Sequence, residues 1–119
     1  MKEIIQNRTK KFATDCWRLC TKFPVTREYN AYCNQLIRCS SSVGANYRAA
    51  CRGKSEADFL NKLKIVEEEA DESMYFLDLL IEVSDKEHDE MKRLRGEANE
   101  LLSIVVASIK TIRNRNRKS

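Results

Sequence analysis

Residues 59–112 read FLNKLKIVEEEADESMYFLDLLIEVSDKEHDEMKRLRGEANELLSIVVASIKTI, and two spacings within that stretch decide the fold. Phe59, Leu63, Val66, Ala70, Ser73, Leu77 and Leu80 step by four and three in alternation. Met91, Leu94, Ala98, Leu101, Val105, Ser108 and Ile112 step by three and four. Each set returns to one side of a helix and makes an apolar seam there. Only Ser84, Asp85 and their neighbours separate the two seams, which leaves room for nothing but an antiparallel turn. The seams therefore face each other or a shared core, and the chain is a helical bundle.

Upstream, Ile5, Phe12, Cys16, Leu19 and Phe23 share one side of a first helix over about 3–21, with Trp17 near its end. Phe23-Pro24 stops it, because a residue before proline avoids the helical region and proline donates no hydrogen bond. A second helix over about 26–51 carries Tyr29, Tyr32 or Cys33, Leu36, Ser40, Val43, Tyr47 and Ala50 at spacings of three and four. Its middle, Cys39 to Ala45, is a run of small residues that costs helix propensity, about 1 kcal/mol at Gly44 relative to alanine. Close approach of another helix backbone would compensate.

Gly53 is placed as a left-handed terminator, and Ser55 before Asp58 reads as a capping pair that opens a third helix over about 56–83. Ser84 before Glu87 repeats the signal for a fourth helix over about 85–113, followed by a polar basic tail, 114–119. Gly96 falls on the polar side of that helix. The expectation is all-α: one domain, 1–119, forming an antiparallel up-down-up-down four-helix bundle.

At 119 residues the chain is long enough to bury a core without disulfide staples. It contains no apolar run of membrane-spanning length and no short apolar segment behind a basic start, so a cytoplasmic protein without membrane contact is expected. Cys16, Cys20, Cys33, Cys39 and Cys51 are odd in number and lack CxxC spacing, which favours reduced thiols packed as small hydrophobes. They make a poor metal site. Asp85 and His88 form a carboxylate-x-x-His step, but di-metal bundles need two such pairs and His88 is the chain's sole histidine. With no base paired to a nucleophile and no glycine-rich phosphate loop, neither enzyme, metal nor cofactor is expected.

Net charge +4 conceals an asymmetry. Residues 1–54 hold 11 basic and 3 acidic residues, 55–100 hold 6 and 15, and 101–119 hold 5 and none. Such a bundle can pair its own helices, pair with copies of itself, or show a basic face to a polyanion. Lys110, Arg113, Arg115, Arg117 and Lys118 have no acidic neighbour in sequence, and Lys10, Lys11, Arg48, Arg52 and Lys54 offer a second patch. Helix-dipole compensation and solubility would account for both without any partner. Gln35, Arg38 and Asn46 on the second helix can meet Glu69 and Glu72 on the third, because arginine donates bidentately and is desolvated at less cost than lysine. The third helix also carries a second apolar row, Ile65, Phe76, Leu79 and Val83 with Tyr75 beside it. One seam suffices for a monomer, so this row points to self-association.

Phe23-Pro24, Tyr32, Gln35-Leu-Ile-Arg38, Ser42-Val-Gly-Ala-Asn-Tyr-Arg48, Ser55, Asp58-Phe59, Lys62, Glu69-Ala-Asp-Glu-Ser73 and Tyr75-Phe-Leu77 together resemble the four-helix-bundle proteins encoded within intervening sequences of bacterial 23S ribosomal RNA genes. The resemblance spans about residues 8–83. The family pattern usually continues Arg-Glu-Ala where this chain has Arg48-Ala49-Ala50, so any salt bridge of that glutamate is lost at Ala49. What the resemblance implies is a ring-shaped homopentamer, and kinship with the accessory variability determinant of diversity-generating retroelements, which binds a reverse transcriptase and nucleic acid through a basic surface.

Two readings of function follow. In one, a non-enzymatic ring contacts RNA or DNA, alone or with a partner enzyme such as a reverse transcriptase, through Arg48, Arg52, Lys54, Lys110, Arg113, Arg115, Arg117 and Lys118 as phosphate contacts. In the other, the chain is a protein-interaction scaffold whose acidic third helix packs head-to-tail on the basic first or second helix of the next copy.

Overall fold

The computed structural model describes residues 1–118, and these form four helices: α1 (Lys2–Cys20), α2 (Arg27–Cys51), α3 (Glu56–Val83) and α4 (His88–Lys118). They run up, down, up and down in a rod of 53 × 22 × 21 Å. Neighbours in sequence pack on one another, and α1 closes the bundle against α4. Leu63, Val66, Ala70, Ser73, Leu77 and Leu80 of the α3 seam are buried, and Phe59 packs half-buried at its start. On α1 the expected side is buried together with Thr9.

The small run on α2 has its reason in Thr9. A Cβ on Gly44 would stand 3.0 Å from the Thr9 Oγ1 and 3.6 Å from its backbone carbon, so a larger residue would have to displace Thr9 where α1 and α2 approach. Thr26 and Ser55 cap α2 and α3, accepting from the backbone N–H of Tyr29 and Asp58 at 3.1 Å.

Four expectations are corrected. First, α4 begins at His88 rather than 85: the Ser84 hydroxyl accepts from the Lys86 N–H inside its own turn, and Glu87 takes a φ of 63° to launch the helix. Second, the α4 seam ends on Ile109 and Ile112, with Ser108 turned half outward to donate to the Ile104 carbonyl. A straight helix drifts about 20° per heptad against a 3.5-residue repeat, which is enough to hand the seam to the next residue. Third, Gly53 is not left-handed. Its value is space, since a Cβ there would crowd the Ala50 carbonyl at 3.2 Å and the Asp58 Cβ at 3.3 Å. Fourth, 114–118 continues α4 instead of forming a tail, because Arg115 and Asn116 reach back to Glu56 at the start of α3.

Candidate nucleic-acid and assembly surfaces

Antiparallel packing places the C-termini of α2 and α4 and the N-termini of α1 and α3 at the same end of the rod. Both basic segments of the sequence meet there. Residues 1–10, 40–69 and 104–118 hold 13 basic and 6 acidic side chains, a net +7, while 11–39 and 70–103 hold 9 and 12, a net −3. Arg48, Arg52 and Lys54 are exposed at the close of α2, and Lys110, Arg113, Arg117 and Lys118 are exposed along the last turns of α4. None of these seven makes an ion pair among the described residues.

Arg115 differs. It donates to Glu56 at 2.6 Å, and Asn116 donates to the other carboxylate oxygen at 2.8 Å. Hydrogen bonds from Asn116 and then Arg115 hold the Glu56 carboxyl below its ordinary value. Arg115 is thus a clamp on α3, with less freedom to meet a phosphate than its neighbours. Lys2 lies 5.6 Å above the Phe59 ring and ties α1 to the same end.

The side formed by α2 and α3 carries the other sequence candidates. Arg38 receives its orientation from Gln35 Oε1 at 3.1 Å and pairs with Glu69 at 3.1 Å and Glu72 at 2.8 Å. Asn46 is not in this cluster; it donates to the Ser42 carbonyl on its own helix. One turn further along α3, Phe76 sits half-buried with its ring 6.3 Å from Tyr32 and 5.6 Å from Tyr75. Leu79 is half-buried, whereas Ile65, Tyr75 and Val83 are exposed. Val83 closes a cleft of about 460 Å³ with Tyr29, Ala31 and Tyr32. The apolar row therefore continues onto α2, an extension the α3 pattern alone could not reveal.

Sequence reasoning missed the ion pairs at the opposite end. Asp15 on α1, with a side chain 12% exposed, joins Lys11 at 2.6 Å, Arg18 at 3.5 Å and Arg93 of α4 at 3.0 Å. Burial pushes the Asp15 carboxyl up, but hydrogen bonds from Lys11 and Arg93 outweigh it and hold the group below its ordinary value. Glu90 is lowered by its bond from Arg93. Arg95 with Asp78 and Lys22 with Glu87 complete the seams between helices at this end, and Arg8, counted with the basic end, joins Glu97 of α4. The i,i+4 Lys11–Asp15 step was visible; the α4 partner needed the helix register.

All five cysteines are free thiols. Burial pushes Cys16 up to about 12 and raises Cys39, which also accepts from the Ser73 hydroxyl at 3.3 Å. They behave as core packing.

A family model described as 23S rRNA-intervening sequence protein matches residues 1–107. A crystal structure of a protein of unknown function from the S23 ribosomal protein family of Bacteroides thetaiotaomicron is 29% identical, covers 92% of this chain and 99% of its own, and superposes with a TM-score of 0.83. No curated protein matches the chain.

Proposed function

The chain belongs to the 23S rRNA-intervening sequence protein family, and from that premise we propose that it acts as a non-enzymatic homo-oligomer whose basic end contacts RNA or DNA. The observation that carries this reading is the collection of unpaired cations at one end of the rod, whereas Arg18, Lys22, Arg93 and Arg95 at the opposite end each meet a carboxylate. Phosphate contacts of this type position a nucleic acid without reading its bases. Copies associate through the apolar row of α3 and the adjoining α2 aromatics, in a ring of five. Light scattering should then report roughly 70 kDa, five times 13.9 kDa. Tyr75→Glu with Val83→Glu should return the mass to that of one chain. Filter binding across a salt series tests the nucleic-acid part, and undetectable binding at about 50 mM salt would remove it.

A second reading has one observation in its favour. Glu68 and Asp71 stand exposed without ion pairs among the described residues, beside Leu102 and Val106 of α4. That acidic face suits head-to-tail packing on a basic helix of the next copy, in a scaffold without nucleic acid. Charge reversal at Glu67 to Glu69 would dissociate such an assembly, and an unchanged mass would count against it.

A further inference from the structure

The groove between α1 and α2 differs chemically from the clefts lined by Glu28, by Asp85–Glu90 and by Glu67 with Asp71, each of which carries carboxylates. It measures about 540 Å³ and presents Gln6, Asn7, Lys10, Thr14, Ser41 and Arg48, with no carboxylate in its lining. Lys10 and Arg48 are exposed and make no ion pair among the described residues. The amides and hydroxyls supply neutral donors and acceptors of the type that meet sugars and phosphates. The cleft between α3 and α4, by contrast, is lined by Glu67, Glu68 and Asp71.

Trp17 lies outside the lining itself, one turn further along the same face of α1. It follows Ala13 and Thr14, both in the lining, by four and three residues, so the three share a helix face. Long helical side chains lean over the preceding turn, which brings the indole toward the groove. Trp17 is 57% exposed and makes no ring or cation contact among the described residues. At the basic end itself the aromatic rings are taken: Tyr47 is buried, and Phe59 is half-buried beneath Lys2. An exposed aromatic beside a cationic groove is the arrangement on which unpaired bases stack, and paired bases inside a duplex keep their faces from it.

We infer that the α1/α2 groove is a track for single-stranded nucleic acid, with Lys10 and Arg48 on the backbone and Trp17 under a base. This rests on the nucleic-acid reading above and narrows it to one strand form and one face. The exposed cations of α4 then add affinity without touching the bases.

Trp17 is the chain's sole tryptophan, so its emission reports on the groove directly. The full chain is titrated at low salt with a labelled oligothymidylate of about 20 nucleotides, following label anisotropy and indole emission together. The expected result is saturable quenching in step with binding, and little quenching by a duplex of equal length that still raises anisotropy. Lys10→Glu with Arg48→Glu should abolish quenching and weaken binding at least tenfold. Lys110→Gln with Arg117→Gln should weaken binding yet leave quenching at saturation intact. Trp17→Ala should bind about tenfold more weakly, and Trp17→Phe should recover most of the loss. Helicity and thermal unfolding confirm that each variant is folded. Equal quenching by the duplex, or unchanged quenching in the Lys10/Arg48 variant, would overturn the groove. So would polyglutamate displacing the oligonucleotide's quench by occupying Lys10 and Arg48 as tightly as the strand does. Absence of any anisotropy change in the unaltered chain would remove the broader reading as well.

Discussion

The two ends of the rod are built from the same residue types and do opposite things with them. At the end holding the Phe23-Pro24 and Ser84–Glu87 turns, Asp15, Asp78 and Glu90 each have an arginine within hydrogen-bonding distance, and the charges close on themselves. At the other end Glu56 holds Arg115, while Arg48, Arg52, Lys110, Arg113 and Arg117 are left to solvent. Surface ion pairs contribute little stability, about 0–1 kcal/mol each, so the lesson concerns availability more than strength. A cation already bonded to a carboxylate is not free for a phosphate. Charge counted along the sequence does not distinguish the two conditions.

The largest test of this contrast removes the free cations. Replacing Lys110, Arg113, Arg117 and Lys118 by glutamine should weaken nucleic-acid binding by about a hundredfold or more near 150 mM salt, and flatten the slope of log K against log salt by about 3. The same number of changes at Arg18, Lys22, Arg93 and Arg95, each paired with a carboxylate, should leave that slope within about 1 of its starting value. Equal losses would erase the distinction between the ends.

Stability should be graded the other way. Leu94→Ala, at a fully buried position beside the paired end, is expected to cost about 2–5 kcal/mol in urea unfolding. Ile112→Ala, 8% exposed near the end of α4, should cost clearly less, because its surroundings can relax into the space.

Glycine substitutions sharpen the picture within the rod. Gly44→Ala must push against Thr9 and should destabilise by about 1–3 kcal/mol. Gly96→Ala meets nothing within 4 Å and should stabilise α4 by about 1 kcal/mol.

Acid should act modestly, and on both ends. Asp15, Glu90 and Glu56 all have lowered folded pKa values, so what they contribute is present above their unfolded values of about 3.9 to 4.3 and is lost as pH falls through the folded ones. Asp15→Asn should remove more of that acid dependence than Glu56→Gln, because the Glu56 side chain is exposed and screened by solvent whereas that of Asp15 is largely covered. A stability curve unaffected by either change between about pH 5 and pH 2 would show that these pairs are decorative.

Much of the fold was legible because its signals are local. Leu77 and Leu80 recur on one side of their own helix whatever surrounds them, Ser55 caps the turn that follows it, and Pro24 forbids continuation. The close approach at Gly44 was implied by the cluster of small residues, though not that Thr9 would supply it. The last turns of α4 were illegible for a different reason. Asn114, Arg115, Asn116, Arg117 and Lys118 have no apolar period, and their helix is extended by bonds to Glu56, 59 and 60 residues away from Arg115 and Asn116. The Arg38 cluster was legible in outline because Gln35 lies one turn back, yet Asn46 was misplaced in it, since its amide bonds its own helix.

The sequence by itself determined four rods, their turns and the residues each rod buries, because periodicity and capping act between a side chain and its own backbone. Tertiary structure alone decided which cations are matched, that two distant basic segments share an end, and that a groove free of carboxylates runs between α1 and α2. Those outcomes depend on the axial offset and rotation of one helix against another, and a shift of one residue turns a side chain through about 100°.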